Sequence, residues 1–447
     1  MENKFYLLEE LLHQKKYAAL RQELSRYNEI DTAAFMEILS AEQATVVFRL
    51  LSKERAAEVF ANLESDTKEI IISSVTDKEL GEIVEELYVD DAVDMLEELP
   101  ANMVKRVLKN ATADTRSLIN QFLNYPENSA GSIMTAEFID LRQNMTVSEA
   151  ISHIRKVGEQ SEQIYTCYVI NSCRVLEGVV TVKELLLASD DCTVGQLMTM
   201  GLVTAATLDD RESVGRTMMK YDLLAMPVVD LEGRLVGIVT IDDVMDVMQE
   251  EVTEDFEKMA AMAPSERPYL KTGVLELARN RIMWLLVLMI SGMITGSILG
   301  RYETAFATLP LLVTFIPMLT DTGGNAGSQS STLIIRGMAL GDICRKDFFK
   351  VFWKELQVSL LVGAALSAVN FVRLFISYGS VPLALTVAGA LFATVVTAKT
   401  VGGLLPILAS FFHVDPAIMA APLITTIVDV VSLVIYFSIA QVLLPIY

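Results

Sequence analysis

Residues 416–447 read PAIMAAPLITTIVDVVSLVIYFSIAQVLLPIY, and this stretch decides the fold class. It is long and apolar enough to cross a bilayer as a helix, for which about 20 residues suffice. Its single charge is Asp429. A carboxylate at that depth is costly, so it usually faces a protein interior or a wet cavity and often marks an ion or proton path. Two plainer readings stand beside this one: an aspartate satisfied by neighbouring hydroxyls, or one paired with Lys399.

A second stretch, residues 317–336, reads PMLTDTGGNAGSQSSTLIIR. It sits where a membrane helix belongs, yet it is small and polar. Gly323, Gly324, Ala326 and Gly327 allow another helix to approach closely. Asn325, Ser328, Gln329, Ser330, Ser331 and Thr332 carry donors and acceptors that lipid would waste. Together the two stretches describe a wet, mildly anionic path through a helix bundle. Mg2+ fits such a path, because it sheds its inner waters reluctantly and is often held by one or two carboxylates with waters retained.

PMLTDTGGNAGSQSSTLIIRGMALG and PLITTIVDVVSLVIYF resemble the two signature segments of the MgtE family of magnesium channels, and the resemblance extends over the whole chain. It implies a homodimeric Mg2+ channel with five membrane helices per subunit and a cytosolic N-terminal portion that senses Mg2+. Asp429 matches the pore carboxylate, and Gly324, Asn325, Ser328, Thr332 and Thr425 are the expected pore lining. Ser328 and Ala421 depart from the family, whose members commonly carry asparagine there.

The 447 residues are 52% hydrophobic with a positive mean hydropathy, which places one domain in a membrane. Of 57 acidic and 36 basic residues, only 8 and 10 lie from Gly273 onward. The leading part therefore holds the acid, which makes it a poor binder of nucleic acid and self-repelling without cations. Cys167, Cys173, Cys192 and Cys344 form no CxxC pair, and His13, His153 and His413 are the only histidines, so a zinc site or a histidine-dependent triad is not expected. The first residues, MENKFYLLEELLHQKKY, lack a secretory pattern and read as an amphipathic cytosolic helix.

Residues 1–128 show helical periodicity broken by polar segments. AAEVFANL, from Ala56, resembles DAVDMLEEL, from Asp91, a repeat of the length that builds a helical superhelix. From residue 129 the pattern becomes α/β in two copies, 129–192 and 193–243. Ile133-Met134-Thr135 pairs with Leu197-Met198-Thr199, and Gly178-Val179-Val180-Thr181 with Gly237-Ile238-Val239-Thr240. This is similar to a tandem CBS module. Such pairs often bind adenine nucleotides, and Gly237, Thr240 and Asp243 match the ATP-binding pattern, while the first copy has Glu184 where the pattern ends in Asp.

The expected connecting helix occupies 244–272, its acidic stripe beginning at Asp243 and continuing through Asp246, Glu250 and Glu254, with Glu251 and Asp255 in a second row. Like charges four residues apart destabilise a helix. Solvated, this is a poor surface; across bound divalent cations it becomes a clamp. The family resemblance implies regulatory Mg2+ ligands at Glu58, Asp90, Asp94, Asp210, Glu212, the Met219 carbonyl, Asp222, Asp243, Asp246, Glu251, Glu254 and Asp255.

Residues 273–447 are expected to form the membrane domain. Crossings are expected at 282–300, at 304–335 interrupted by Pro310, Pro317 and the glycines, at 356–372, at 381–412 and at 416–447. Arg279, Arg281, Arg336, Arg345, Lys346, Lys350 and Lys354 fall on one side, against Arg301 and Arg373 on the other. The positive-inside rule then makes the N-terminal domains cytoplasmic and leaves Tyr447 outside a multi-pass cell-membrane protein. Lys399 either snorkels or is paired internally, and Asp321 either attracts cations or caps a helix break. No GxxxxGK[ST] loop or DKTG segment is present, which argues against an ATP-driven enzyme. The remaining alternatives are a CBS-regulated transporter of another ion and a nucleotide or metal sensor that transports nothing.

Overall fold

Side-chain caps recur through the first 128 residues. The computed structural model describes residues 4–265, 269–270, 272–302 and 309–444. It begins with ten short helices, α1 (Tyr6–His13) to α10 (Ala113–Phe122). From α3 (Glu29–Glu37) onward a new helix starts every twelve residues: α4 (Ala41–Phe48), α5 (Lys53–Ala61), α6 (Ser65–Ser74), α7 (Asp77–Glu86), α8 (Val89–Glu98), α9 (Ala101–Asn110) and α10. Asn28, Ser40, Thr76 and Thr112 cap their helices through side-chain oxygens, two of them in capping boxes with Gln43 and Glu79. Helices this short are not stable alone. They stack instead, α3 on α5 on α7 on α9 and α4 on α6 on α8 on α10, burying Phe35, Phe60, Ile71, Ile72, Leu80 and Val84 between rows. The similarity between Ala56 and Asp91 thus joins α5 to α8, three twelve-residue steps apart.

The α/β copies are alike to the register. β1 (Asp140–Leu141), β2 (Thr166–Ile170) and β3 (Leu176–Thr181) form one sheet; β4 (Ala205–Ala206), β5 (Ala225–Val229) and β6 (Leu235–Thr240) form the other. In each, the first strand is parallel and the third antiparallel to the middle strand, with a bulge at Val169/Ile170 and again at Val228/Val229. The copies exchange their leading segments. Thr135 bridges to Ile238 in β6, while Thr199 bridges to Val179 in β3. Gly237 and Gly178 permit this: a Cβ at Gly237 would lie 2.7 Å from the Thr135 carbonyl oxygen, and one at Gly178 3.0 Å from that of Thr199. The helices are α11 (Val147–Val157), α12 (Val182–Leu187), α13 (Val194–Leu197) and α14 (Arg211–Tyr221), followed by the connecting helix α15 (Ile241–Met259).

The chain divides into two units, Met1–Met248 and Gln249–Tyr447, with the division inside α15. The second holds α16 (Val274–Arg301), α17 (Ile316–Ala339), α18 (Phe348–Tyr378), α19 (Val381–Phe411) and α20 (Ala421–Leu443). Among the described residues four helices are long and apolar enough to cross a membrane; α17, with its small polar residues, does not meet that composition. α19 is the centre, packed on α17, α18 and α20. Val387, Leu391 and Val395 from α19 join Leu319, Ile424, Val428 and Phe437 in the core. α16 buries none of its residues and touches α20, where Tyr302, just past its end, stacks on Phe437 with ring centroids 4.3 Å apart.

The second crossing differs from its expected form. Pro310 opens a 3-10 turn, Pro310–Phe315, and Pro317 occupies the first turn of α17, where its missing N–H costs nothing. The helix then runs unbroken through Gly323, Gly324 and Gly327, so these glycines expose no carbonyls; they admit neighbouring helices. The first residues of the expected second crossing, 304–308, and Tyr447 lie outside the described residues.

Candidate functional site

α17 has two polar faces with opposite surroundings. Its buried face presents Gly323, Gly324, Ala326, Gly327, Ser330 and Ser331 to the bundle. A Cβ at Gly323 would lie 2.7 Å from both Thr394 Cγ2 and Val428 Cγ1, and one at Gly327 would lie 2.6 Å from Ile424 Cγ2. The other face carries Asp321, Asn325, Gln329, Thr332 and Arg336, all exposed and spaced by three or four residues. An exposed polar row on a helix inside a membrane domain belongs against protein or water.

The expected lining residues divide between these faces. Asn325 and Thr332 lie on the exposed row. Gly324 is buried against Thr425, whose Cγ2 would stand 3.0 Å from an added Cβ. Ser328 is half-buried and its hydroxyl donates to the Gly324 carbonyl at 2.8 Å. Pairings of Gly323 with Val428 and Gly327 with Ile424 run α20 antiparallel along α17, and Asp429 follows Val428 directly.

Asp429 is half-buried, and its Oδ1 is sealed from solvent without a hydrogen-bond partner. The nearby hydroxyls are spent on their own helix: Thr425 donates to Ala421 O at 2.8 Å, Thr426 to Pro422 O at 3.0 Å and Ser432 to Val428 O at 2.6 Å. Thr394, facing Gly323 beside Val428, also has a buried unpartnered hydroxyl. Lys399 is engaged elsewhere, with Nζ 3.4 Å from Ser330 Oγ and 3.5 Å from Gln329 Oε1. Neither plainer reading of Asp429 is therefore realised among the described residues. A buried oxygen with no partner costs free energy unless water or an ion completes it.

The first unit contains a second acidic group. Asp90, Asp91 and Asp94 on α8 converge on Asp243 at the start of α15, joined by Asp242, Glu137 and Glu162. Burial and then the surrounding carboxylates push their carboxyls upward: Asp90 well above its usual range, Asp94 to about 7 although solvent still reaches it, and Glu162 to about 8. Asp243 rises to about 6, with burial opposed by a hydrogen bond from the Thr240 hydroxyl. Glu58 is also raised, by burial and by Glu29. Asp91, Glu137 and Glu162 escaped the sequence reading. Glu162 lies in the loop before β2, outside any periodic element, where its backbone N–H donates to the Glu137 carbonyl at 2.8 Å.

The other expected acids have local roles. Asp210 caps α14 by accepting from Ser213 N at 3.0 Å, Glu212 pairs with Arg216 at 2.8 Å, and Asp222 ends the helix in the left-handed conformation. Met219 is exposed, as is Asp246. In the second unit Asp255 is pushed upward by burial and Asp415, while Glu254 pairs with Lys258 at 2.7 Å; Glu251 lies half-buried on the same helix. Gly237 is explained by strand packing, and Thr240 is buried with its hydroxyl on Asp243.

Among the described residues no three His, Cys, Asp or Glu side chains are gathered closely enough to hold one metal ion. The donor set nevertheless suits a hard divalent cation, because it consists of carboxylates and is strained by its own charge.

Comparison with known proteins covers nearly the whole chain. Family models match residues 27–128 (MgtE intracellular N domain), 130–191 and 194–250 (CBS domain) and 316–439 (MgtE, divalent cation transporter). A magnesium transporter MgtE of Thermus thermophilus is 38% identical, over 99% of this chain and 99% of its own length. That of Bacillus subtilis is 31% identical over 96% and 95%. Among solved structures, the cytosolic domain of the Mg2+ channel MgtE in complex with ATP is 36% identical with a TM-score of 0.51, covering 54% of this chain and 98% of that one. The soluble part of a magnesium transporter gives 28% and 0.53, over 55% and 97%.

Proposed function

This chain belongs to the MgtE family of magnesium transporters, and from that premise we propose that it is a passive Mg2+ channel whose pore carboxylate is Asp429. The observation that carries the reading is the buried Asp429 Oδ1, which among the described residues has no hydrogen-bond partner, the hydroxyls of Thr425, Thr426 and Ser432 being spent on their own helix. A hydrated divalent cation supplies the missing donors through its waters and the missing charge through itself. The membrane potential drives entry, at about 2.3 kcal/mol per charge per 100 mV and so about twice that for Mg2+. No enzymatic step is required.

The exposed row Asp321–Asn325–Gln329–Thr332–Arg336 supports a homodimer in which a second copy covers this face and the ion passes along it. Asn325, Ser328, Thr332 and Thr425 then line the route, with Gly324 setting the spacing of α17 and α20. Five crossings place the N-terminal domains in the cytoplasm and Tyr447 outside.

Cytosolic Mg2+ closes the channel by mass action, binding the arrangement in which the acidic elements are drawn together. Residues 1–128, 129–192 and 193–243 read the cation, 244–272 transmits the state and 273–447 conducts. Asp90 and Asp94, each raised in part by the charge of Asp243 within the first unit, support this part of the sensor. ATP is a further ligand of the CBS pair through Gly237, Thr240 and Asp243, so nucleotide and Mg2+ compete for one carboxylate.

Asp429→Ala in a strain dependent on this protein for Mg2+ tests the pore. Loss of Mg2+ uptake with normal membrane levels is expected; undiminished uptake removes Asp429 from the pore.

A further inference from the structure

Lys399 is 5% exposed, sunk in α19 among α17 and α18. Among the described residues it makes no ion pair. Its ammonium donates to two neutral acceptors of α17, Ser330 Oγ at 3.4 Å and Gln329 Oε1 at 3.5 Å. Ser330, itself 1% exposed, passes its proton side onward, donating to Glu355 Oε2 of α18 at 2.6 Å. Gly403, one turn after Lys399, makes room for this carboxylate, since a Cβ there would lie 2.8 Å from Glu355 Cγ. The three helices thus share one charge-balanced network, with Ser330 between a cation and an anion that do not touch.

A buried lysine lacking a direct carboxylate is expensive to keep. Structure alone does not require it, because an apolar side chain would fill the same space at lower cost. Gln329 supplies the reason. It stands on the exposed polar row of α17, the face read above as the ion route, while its amide oxygen accepts from the buried Lys399 ammonium at 3.5 Å.

We propose that Lys399 and Gln329 are a positioning pair for conduction: the ammonium fixes the Gln329 amide on the route-facing side of α17, and the amide oxygen shields a passing cation from the ammonium. Glu355 balances the lysine from behind through Ser330. The pair never ligates the ion. It keeps the wall beside the route polar, fixed and electrically neutral, which matters because conduction needs binding strong enough for entry and weak enough for exit. This inference rests on the channel reading of Asp429 and of the α17 face.

The test uses the whole protein in planar bilayers, with Mg2+ as the only permeant cation. Gln329 is exposed, so Gln329→Leu is compatible with folding. It bares the ammonium, and the half-saturating Mg2+ concentration rises several-fold, most at low ionic strength where charge is least screened. Gln329→Glu keeps an oxygen on the ammonium and shows no such rise. In the charge-neutral background Lys399→Met with Glu355→Gln, Gln329→Leu has no further effect. The proposal is overturned if Gln329→Leu leaves half-saturation unchanged at every ionic strength while Asp429→Asn abolishes the current. It is equally overturned if the rise persists in the neutral background. Should that background fail to fold, the salt dependence of Gln329→Leu alone decides. A normal current in Asp429→Asn instead overturns the placement of the ion route at Asp429 and, with it, this inference.

Discussion

The Lys258 ammonium donates to Asp415 Oδ2 at 2.7 Å, joining the end of α15 to a residue 157 positions later. Lys258 also holds Glu254 at 2.7 Å, and Asp415 uses its other oxygen to accept from Ala417 N, opening the 3-10 turn Pro416–Met419 that leads into α20. Burial opposes the lysine charge, but the two carboxylates prevail and raise its pKa to about 12. A fixed cation therefore already stands among the acids that close this end of the connecting helix.

If the channel is gated as proposed, replacing that cation makes closure depend more on Mg2+. In Lys258→Met, Glu254 and Asp415 repel one another and Asp255, and α15 is released where Mg2+ is scarce. The lost tie is worth about 1 kcal/mol, roughly a fivefold change in the ratio of open to closed channels. Patch recording over a range of cytosolic Mg2+ is expected to show raised opening at low Mg2+ and recovery of closure at high Mg2+. Equal opening at low Mg2+ in both proteins would refute the role of this tie.

The acidic group around Asp243 sets a pH dependence with a definite sign. Asp94, Asp243 and Glu162 are raised to about 7, 6 and 8, so the folded form keeps protons that the unfolded chain releases near pH 4. Their contribution favours folding at acid pH and is lost as pH climbs from about 4, where the unfolded chain releases its protons, up to about 6 to 8, where the folded form releases its own. Melting of the Mg2+-free protein is expected to fall over that window. Mg2+ must displace those protons, so its apparent affinity rises with pH, by up to about tenfold per pH unit for each proton displaced. Calorimetry at several pH values, with and without Mg2+, checks both slopes.

How far the sequence was readable depends on the range of the interaction. The doubled motif at Met134-Thr135 and Met198-Thr199 was plain because each copy repeats the same local chemistry, though its exchange onto the opposite sheet was not. The twelve-residue step of α3 to α10 was obscured because only some caps, such as Asn28, Ser40, Thr76 and Thr112, keep a capping oxygen, while Tyr88 and Pro100 occupy equivalent places. The α17 glycines read both as places of close helix approach and as breaks, since glycine serves both purposes; the positions of Val428 and Ile424 show the first to hold and the unbroken helix excludes the second. Glu162 and Asp415 carry no periodic signal and meet their partners through tertiary structure alone.

That contact makes Gly402 a sensitive position. A Cβ there would collide with the Gly327 carbonyl oxygen, a backbone atom that cannot turn away, whereas Gly389 has open space around it. Gly402→Ala is expected to destabilise the membrane domain by about 1 to 3 kcal/mol, and Gly389→Ala to change it little. Thermal melts of the purified full-length variants in detergent distinguish them; equal melting would mean that α17 and α19 approach less closely than described.

Glu162→Gln separates charge from shape in the acidic group. Glu162 has one oxygen buried without a partner, and burial together with Asp243 and Asp91 penalises its ionised form. Glutamine keeps the volume, removes the charge and lowers the repulsion felt by Asp90 and Asp243. The Mg2+-free variant should therefore melt higher than the parent at pH 8, where the unfolded parent gains most from ionising Glu162, and nearly alongside it at about pH 4, where the unfolded chain also keeps much of that proton. Stabilisation by Mg2+ should shrink by a comparable amount, because less repulsion remains for the cation to relieve. Glu159, exposed on the same loop, is the control, and Glu159→Gln should leave both melts in place. A Glu162→Gln protein that melts with the parent at both pH values, with and without Mg2+, would exclude this carboxylate from the sensor and leave Asp90, Asp94 and Asp243 to act without it.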